Sequence, residues 1–296
     1  PVIEWNVFGG YDPSINLFSS LAVSPFCREE HIKNGGDPNK SKVVFLPLTE
    51  TFSKKNLRKT LNISPNSLVI GMHQREEDTI FSPIFLIAAK NAIENLNFSS
   101  DLIVLVLGGS KKYKELGNKL GLKIIQLDSK IDYDYVSQFL NTLDIFTHSR
   151  KDGETLGAAI QEAMAHSLPV ISHTSQWNAH IDTLGPGGIV CESQNHYNET
   201  LINWIKDKNI RDSYGLAGKK YSIERYTWKS TLTLIENEII NAFNLFKPLK
   251  YKPVALSIYK KRKIIMIFRF YFIKIATKVL IYIFGQKGSQ YLSKAK

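Results

Sequence analysis

The stretch DIFTHSRKDGETLGAAIQEAMAHSLPVIS, residues 144–172, has the pattern of a strand, a loop, a helix and a second strand. DIFTHS is a short, mostly apolar run, and LGAAIQEAMAHS is an Ala-rich run with helical character. LPVIS then begins another apolar run. A strand that returns through a helix to a further strand is the repeating unit of a parallel sheet. This stretch therefore predicts an α/β fold.

The same alternation continues on both sides of this stretch. Further strand-like runs occupy residues 68–72, 102–109, 122–127 and 187–191, and helical patterns occupy 83–96, 111–121 and 133–143. The run LIVLVLGG at 102–109 is continuously apolar, which is typical of a strand buried on both faces. The alternation predicts a doubly wound, mostly parallel, Rossmann-like sheet with helices on both faces. Helical patterns at 197–207, 209–222 and 228–245 follow the last strand.

The residues before this alternation form a separate group. Residues 1–42 have the pattern of a strand, a strand and a short helix, and we interpret them as the remnant of an N-terminal Rossmann-like domain whose beginning is missing. The apolar run VVFLPL, 43–48, predicts a strand that opens the next domain. We therefore predict four segments: the remnant 1–42, a ligand-binding domain 43–205, C-terminal helices 206–246 that cross back, and a basic tail 247–296.

The positive charge is concentrated in the tail. The chain has 38 Lys and Arg and 27 Asp and Glu, a net charge of +11, and residues 247–296 hold 13 cations and no acid. The remaining residues therefore carry 11 − 13 = −2, which argues against a nucleic-acid-binding core. Residues 260–284 combine apolar and aromatic residues with cations, which favours an amphipathic helix on an anionic membrane surface. The alternative is a helix that packs on the rest of the N-terminal domain.

Cysteine and histidine give no sign of a metal site. Cys27 and Cys191 form neither a disulfide framework nor a zinc-ligand spacing. None of the seven histidines lies in an HExxH-like pattern. We expect no protein-held metal and a reducing, cytoplasmic location.

Two glutamates suggest a ligand site in the opening stretch. Glu154 falls in the loop at the carboxyl end of a predicted strand, where open α/β sheets bind ligands, and Glu162 falls inside the following helix. The helix N-terminus suits a phosphate, and Gly157 leaves room for it. Carboxylates accept hydrogen bonds from paired hydroxyls, so the pattern indicates a sugar-nucleotide site. The alternative is that Glu154 complements the helix dipole and Glu162 faces solvent.

The block ETLGAAIQEAMAHSLPVI, residues 154–171, resembles the donor-binding motif of the retaining glycosyltransferases of family four, which have the GT-B fold. That motif is a Glu, seven residues and a second Glu, followed here by the similar Ala-Met-Ala run and Pro-Val-Ile. LIVLVLGG and LDIFTHS resemble two of the family's strands, and residues 226–239 resemble its crossing-back helix. The resemblance extends from about Lys42 to Leu245 and implies that the chain holds the C-terminal half of the GT-B fold.

The resemblance also implies roles for individual residues. Glu154 would be catalytic and contact the donor sugar, and Glu162 would bind the ribose. Backbone N–H groups of Thr155, Leu156 and Gly157, and the side chain of Arg75, would bind the diphosphate or sugar. The implied activity is transfer from a nucleotide-diphosphate sugar to a glycan or lipid-linked acceptor with retention of configuration. It would need neither metal nor cofactor and would serve surface polysaccharide or glycolipid synthesis.

The sequence also departs from the family pattern. Position 80 is Ile where the family usually has Lys, and Ser167 replaces a usual Gly. Asp182 stands where the family often has Glu, and Asn178 and His180 nearby are either ligand-facing or ordinary turn and surface residues.

The sequence leaves two rival interpretations of the function. One is a truncated, non-catalytic nucleotide-sugar-binding or membrane-associated remnant, and the other is a nicotinamide-dependent dehydrogenase, which the absence of G-x-G-x-x-G after any strand disfavours.

Overall fold

The structure is a computed structural model that describes residues 2–13, 15, 17–48, 52–96 and 102–245. Within it, Pro1–Phe243 form one compact unit. The predicted basic tail and its amphipathic segment 260–284 lie outside the described residues. Every helix in the described ranges is too short or too polar to span a lipid bilayer.

The first part of the chain forms a small parallel sheet of three strands. These are β1 (Val2–Asn6), β2 (Leu17–Ala22) and β3 (Ser41–Val43), in that spatial order. Helix α1 (Pro25–Lys33) connects β2 to β3, and Ser24 caps it by accepting a hydrogen bond from the Cys27 N–H. The two strands and the helix predicted in residues 1–42 are confirmed.

A second sheet of six parallel strands forms the centre of the unit. The spatial order is β11-β9-β7-β4-β5-β6, and all its pairings are parallel. The strands are β4 (Leu68–Gln74), β5 (Leu102–Gly108), β6 (Ile124–Leu127), β7 (Ile145–Thr147), β9 (Val170–His173) and β11 (Gly188–Cys191). After β4 the chain adds β5 and β6 on one side of β4. It then returns and adds β7, β9 and β11 on the other side. The predicted doubly wound sheet is confirmed, and its switch point lies between β4 and β7.

Helices connect these strands and follow them. They are α2 (Ile84–Leu96), α3 (Lys112–Lys119), α4 (Tyr133–Leu140), α5 (Ala158–Ala165), α6 (Ala179–Leu184), α7 (Gln194–Lys206), α8 (Lys208–Arg225) and α9 (Trp228–Leu245). Nearly every side chain of β5 is buried, as expected for a strand covered on both faces. The large side chains Phe85, Phe139 and Phe146 are fully buried in the same core. Burial of this apolar surface is the main force that holds the helices on the sheet.

Two short strands lie outside the main sheet, β8 (Gly153–Glu154) and β10 (Trp177–Asn178), and they pair in parallel. Gly153 has a φ of +81°, and a Cβ at this position would lie 2.0 Å from the Trp177 carbonyl oxygen. Only glycine allows this close approach. The pairing ties the loop that carries Glu154 to the loop that follows β9.

The structure corrects three details of the sequence interpretation. The predicted strand 43–48 ends at Val43, because Pro47 lacks a backbone donor and the Leu48 N–H bonds instead to the Tyr226 carbonyl. Helix α5 begins at Ala158 rather than near Leu156, since Gly157 adopts the left-handed conformation at the cap position. Helix α6 had no predicted counterpart.

Candidate functional site

A cleft of ≈ 350 Å³ opens at the carboxyl ends of β4 and β7, beside the N-terminus of α5. Its walls combine residues from β4 and the position after it, from β5, from the loop after β6, from the segment after β7 that includes β8, and from α5. They are Met72, His73, Gln74, Arg75, Leu107, Ser129, Lys130, Ile131, His148, Arg150, Glu154, Ala158 and Ala159. A larger cleft of ≈ 740 Å³ lies beside α3, but it contains neither of the predicted glutamates. The smaller cleft therefore is the candidate site.

Glu154 lies in this cleft with its carboxylate partly buried. Its Oε1 lies 3.3 Å from His148 Nε2, and its Oε2 lies 3.8 Å from the Arg150 guanidinium. Burial alone would raise the pKa of Glu154, but the hydrogen bond and electrostatic interaction with His148 and the charge of Arg150 outweigh it and lower the pKa. The carboxylate is therefore ionised at neutral pH and can accept hydrogen bonds from a ligand.

Three buried histidines lie behind Glu154. His148 Nδ1 lies 2.8 Å from Ser172 Oγ, and the ring centroids of His148 and His180 are 5.3 Å apart. His180 Nε2 donates to the His173 carbonyl oxygen at 2.9 Å. Burial lowers the pKa of His180 to about 4, so that its ring is neutral near pH 7. In the part of the chain that the structure describes, no group of acids, histidines and cysteines is arranged to hold a metal ion.

Arg150 orients the loop that carries Glu154. Its guanidinium makes two hydrogen bonds to Asp152, from Nε at 2.7 Å and from Nη2 at 3.0 Å. Burial would lower the pKa of Arg150, but the bonds to Asp152 and the charge of Glu154 raise it. A backbone bond from the Arg150 N–H to His173 Nε2 at 3.3 Å connects this loop to the histidine group. Arg150 is thus a fixed cation in the cleft wall.

The segment Thr155–Gly157 leads from Glu154 into α5. Gly157 has φ +90° and ψ 52°, so a left-handed residue turns the chain into the helix. The Leu156 side chain packs into a small apolar cluster with Ala22, Val23 and Cys27 rather than facing the cleft. The N–H groups of Leu156 and Gly157 have no hydrogen-bond acceptor among the described residues. These N–H groups at a helix start are suited to an anion.

Glu162 lies one turn further along α5 and has a partner that the sequence did not reveal. Its Oε2 lies 2.9 Å from Nε2 of His73, a cleft residue, although the contact is not aligned as a hydrogen bond. The Tyr133 hydroxyl is buried without a hydrogen-bond partner among the described atoms. Burial, and to a smaller extent the charge of Glu162, raise the pKa of this tyrosine. Glu162 thus forms a polar pair with His73, which itself lines the cleft.

The other residues that the sequence analysis singled out differ in exposure and in their contacts. Arg75 lies in the cleft wall, 70% exposed, with its Nη2 3.5 Å from Glu77 Oε2. Ile80 is buried and offers no charge. Asp182 is exposed, whereas Asn178 accepts a backbone bond from Ser175 at 2.9 Å and His180 is buried. Neither His148 nor His173 was named from the sequence, since isolated histidines carry no spacing signal.

Part of the chain is similar to known glycosyltransferases. Residues 86–221 match the family described as "Glycosyl transferases group 1". The chain is 22% identical over 136 residues to an uncharacterized glycosyltransferase of Methanocaldococcus jannaschii, a match that covers 44% of this chain and 35% of the relative. The matched part thus spans about a third of that relative's length.

Solved structures share the fold. HepE of Anabaena, described in complex with UDP and glucose, superposes with a TM-score of 0.67 at 15% identity over 80% of this chain and 71% of that chain. Sucrose-phosphate synthase of Thermosynechococcus elongatus gives a TM-score of 0.64 at 15% identity over 78% of this chain and 60% of that chain. Likenesses at this level of identity show a shared fold, which agrees with the doubly wound parallel sheet.

Proposed function

We propose that this chain provides the donor-binding half of a retaining, family-four glycosyltransferase, which transfers a sugar from a nucleotide-diphosphate donor to a glycan or lipid-linked acceptor. One observation carries the proposal: the ionised carboxylate of Glu154 lines a cleft together with Ala158 and Ala159 of the α5 N-terminus, and the N–H groups of Leu156 and Gly157, which have no acceptor among the described residues, belong to the segment between them. A carboxylate for sugar hydroxyls beside donors for phosphate is what a sugar diphosphate needs. HepE, a structural neighbour, is described with UDP-glucose.

The positions of the residues support the following proposed binding mode. The sugar lies at Glu154, the diphosphate lies across the N–H groups of Thr155, Leu156 and Gly157 with Arg75 opposite, and the ribose lies toward Glu162. His73, which lies between the cleft and Glu162, contributes to the ribose end. Charge that develops on the leaving diphosphate is stabilised by the helix N-terminus and by guanidinium groups, and no step requires a metal or cofactor.

The transfer is proposed to retain the anomeric configuration through attack on the donor from the leaving-group face. The acceptor hydroxyl gives its proton to the departing phosphate oxygen as the new glycosidic bond forms. Glu154 holds the sugar hydroxyls during this exchange, and its lowered pKa keeps it an acceptor. The acceptor itself is proposed to belong to a surface polysaccharide or glycolipid.

Calorimetric titration with UDP and GDP, followed by an assay of sugar release from the matching donors, tests the proposal. We expect one of the nucleotides to bind without added metal and turnover to follow. Binding without turnover supports the alternative, a non-catalytic nucleotide-sugar-binding protein. The absence of nucleotide binding, with the Glu162→Ala variant indistinguishable from the parent, refutes both.

Residues 260–284 are proposed to place the protein on the inner, anionic face of a membrane. The support is compositional, since aromatic and aliphatic residues alternate there with Arg269, Lys274 and Lys278. Flotation with vesicles that contain or lack anionic phospholipid is the test. Binding to the anionic vesicles should weaken at high salt, because part of it is electrostatic.

A further inference from the structure

Two side chains at the start of α1 contact a carbonyl of the segment Glu154–Gly157, which is called the donor loop below. Ser24 Oγ donates a hydrogen bond of 2.6 Å to the Thr155 carbonyl oxygen. Cys27 Sγ lies 3.4 Å from the same oxygen. The next carbonyl, that of Leu156, accepts from the Thr183 hydroxyl of α6. Two successive carbonyls of this loop are therefore fixed by side chains that lie outside the cleft.

A fixed carbonyl also fixes the N–H of the same peptide. In a trans peptide the C=O and N–H bonds point in opposite directions, and the described chain contains no cis peptide. Because the Thr155 carbonyl points to Ser24, the Leu156 N–H points away from α1. The Leu156 carbonyl likewise directs the Gly157 N–H away from Thr183. Both N–H groups lack an acceptor among the described residues, so both are available to a ligand.

We propose that Ser24 and Cys27 are positioning residues for diphosphate binding, which hold the Thr155 carbonyl turned away so that the Leu156 N–H faces the donor. This inference rests on the proposed function, because it concerns the same donor loop. If the peptide rotated, a carbonyl oxygen with partial negative charge would take the place of the donor N–H. The diphosphate would then lose a hydrogen bond and meet a repulsive dipole.

The surroundings of Ser24 fit this role. Its side chain is fully buried, and its Oγ accepts the Cys27 N–H at 3.1 Å. The single hydroxyl proton is consequently free to point at Thr155. The Leu156 side chain, buried among Ala22, Val23 and Cys27, gives the loop a second attachment to the first sheet. Ser24 thus caps α1 and holds the donor loop with one oxygen.

Cys27 is a weaker hydrogen-bond donor to the Thr155 carbonyl than Ser24. Burial raises the pKa of its thiol, so it remains a protonated donor at neutral pH. Its Sγ lies 3.1 Å from the Val7 carbonyl oxygen as well as 3.4 Å from that of Thr155. One proton serves two acceptors, and a thiol is a weak donor. Loss of the Ser24 hydroxyl should therefore have the larger effect.

The test distinguishes the contribution of the diphosphate to binding affinity from the contribution of the nucleoside. The Ser24→Ala variant of the 296-residue chain is titrated with the nucleoside diphosphate that the parent binds, UDP or GDP, and with the corresponding nucleoside. We expect affinity for the diphosphate to fall by about 10-fold, the range of a hydrogen bond to a charged group, and affinity for the nucleoside to stay constant. Ser24→Thr, which keeps the hydroxyl, should restore diphosphate affinity, and Cys27→Ala should show a smaller selective loss.

Ser193→Ala is the matched control. Ser193 caps α7 by accepting the His196 N–H at 3.2 Å, so this variant removes the same hydroxyl and the same kind of cap away from the donor loop. It should lower the melting temperature as Ser24→Ala does but leave both affinities unchanged. Equal losses for diphosphate and nucleoside in Ser24→Ala, or no loss in either, would overturn the positioning role. A parent that binds no nucleoside diphosphate refutes the proposed function itself, and the positioning role falls with it.

Discussion

His148 Nε2 lies 3.3 Å from Glu154 Oε1, and the same imidazole is anchored through Nδ1 to Ser172 Oγ at 2.8 Å. The histidine follows β7, the serine lies in β9, and the glutamate lies in β8. Three strands thereby determine where one carboxylate points. Under the proposed function, a carboxylate fixed in this way discriminates between sugar hydroxyls, because it cannot move to follow a misplaced one.

Replacing the carboxylate of Glu154 by an amide should suppress transfer more than binding. In Glu154→Gln the shape is kept while the negative charge is lost, so we expect sugar release to fall by about 100-fold or more and affinity for the nucleoside diphosphate to change little. Steady-state release of sugar and calorimetric titration measure the two effects. The exposed Glu236→Gln in α9 is the control and should match the parent. Unchanged release in Glu154→Gln would remove this residue from the mechanism.

The buried histidines should make the protein less stable in mild acid. The pKa of His180 falls from 6.5 to about 4 on folding, so between these values the unfolded chain binds more protons than the folded protein. Stability is therefore full above pH 6.5 and decreases as the pH falls toward 4, by roughly 3 kcal/mol for this group.

Urea unfolding at pH 7 and pH 5 checks this dependence. The parent should lose about 2 kcal/mol from His180 over this interval. His180→Leu should lose less on acidification, although His166 and His173, whose pKa values burial also lowers, keep part of the slope. Parallel losses in parent and variant would show that other groups cause the acid sensitivity.

A methyl group at Gly157 should disturb the anion site. The residue has a φ of +90°, and a Cβ there would lie 3.4 Å from His180 Cβ and from Ile160 Cδ1. Gly157→Ala should cost about 1–3 kcal/mol of stability and weaken diphosphate binding, because the chain must leave the left-handed conformation to relieve strain. Gly121→Ala is the control, since Gly121 has a φ of +70° with open space around it and lies at the end of α3. It should lower stability and leave nucleotide affinity unchanged.

Arg75 should contribute to the affinity for the diphosphate although its side chain is exposed. Its ion pair with Glu77 is at the surface and contributes little, so the guanidinium is free to turn toward a bound anion. Arg75→Ala should lower diphosphate affinity by about 10-fold and nucleoside affinity not at all. Arg75→Lys should recover part of the loss, because it keeps the charge but not the two-pronged geometry. Equal affinities in parent and Arg75→Ala would exclude this contact.

The sequence predicted those parts of the fold that have a strong local pattern. The continuous apolar run of β5 and the Ala-rich α5 are both found, because hydrophobic spacing reports burial directly. The strand expected through Leu48 ends early, since a tertiary bond to Tyr226 replaces the sheet. Strands β8 and β10 have two residues each, too few to show any period.

The site was predictable in part for a similar reason. Glu154, Gly157 and Glu162 lie on one continuous segment, so their spacing was visible in the sequence. Their supports come from elsewhere. His73 and Ser24 are distant along the chain and reach the segment only through the fold. Contacts between side chains far apart in sequence leave no trace in local periodicity.

The pairing of β8 with β10 makes the donor loop dependent on a segment that never enters the cleft. Residues 174–176 connect β9 to β10. The length of this connector determines the position of Trp177, and the pairing of Trp177 with Gly153 in turn determines the position of Gly153. An insertion there would displace Glu154 without altering any residue that touches a ligand. Under the proposed function, variation of this connector would alter sugar preference while every residue of the recognition surface stays the same.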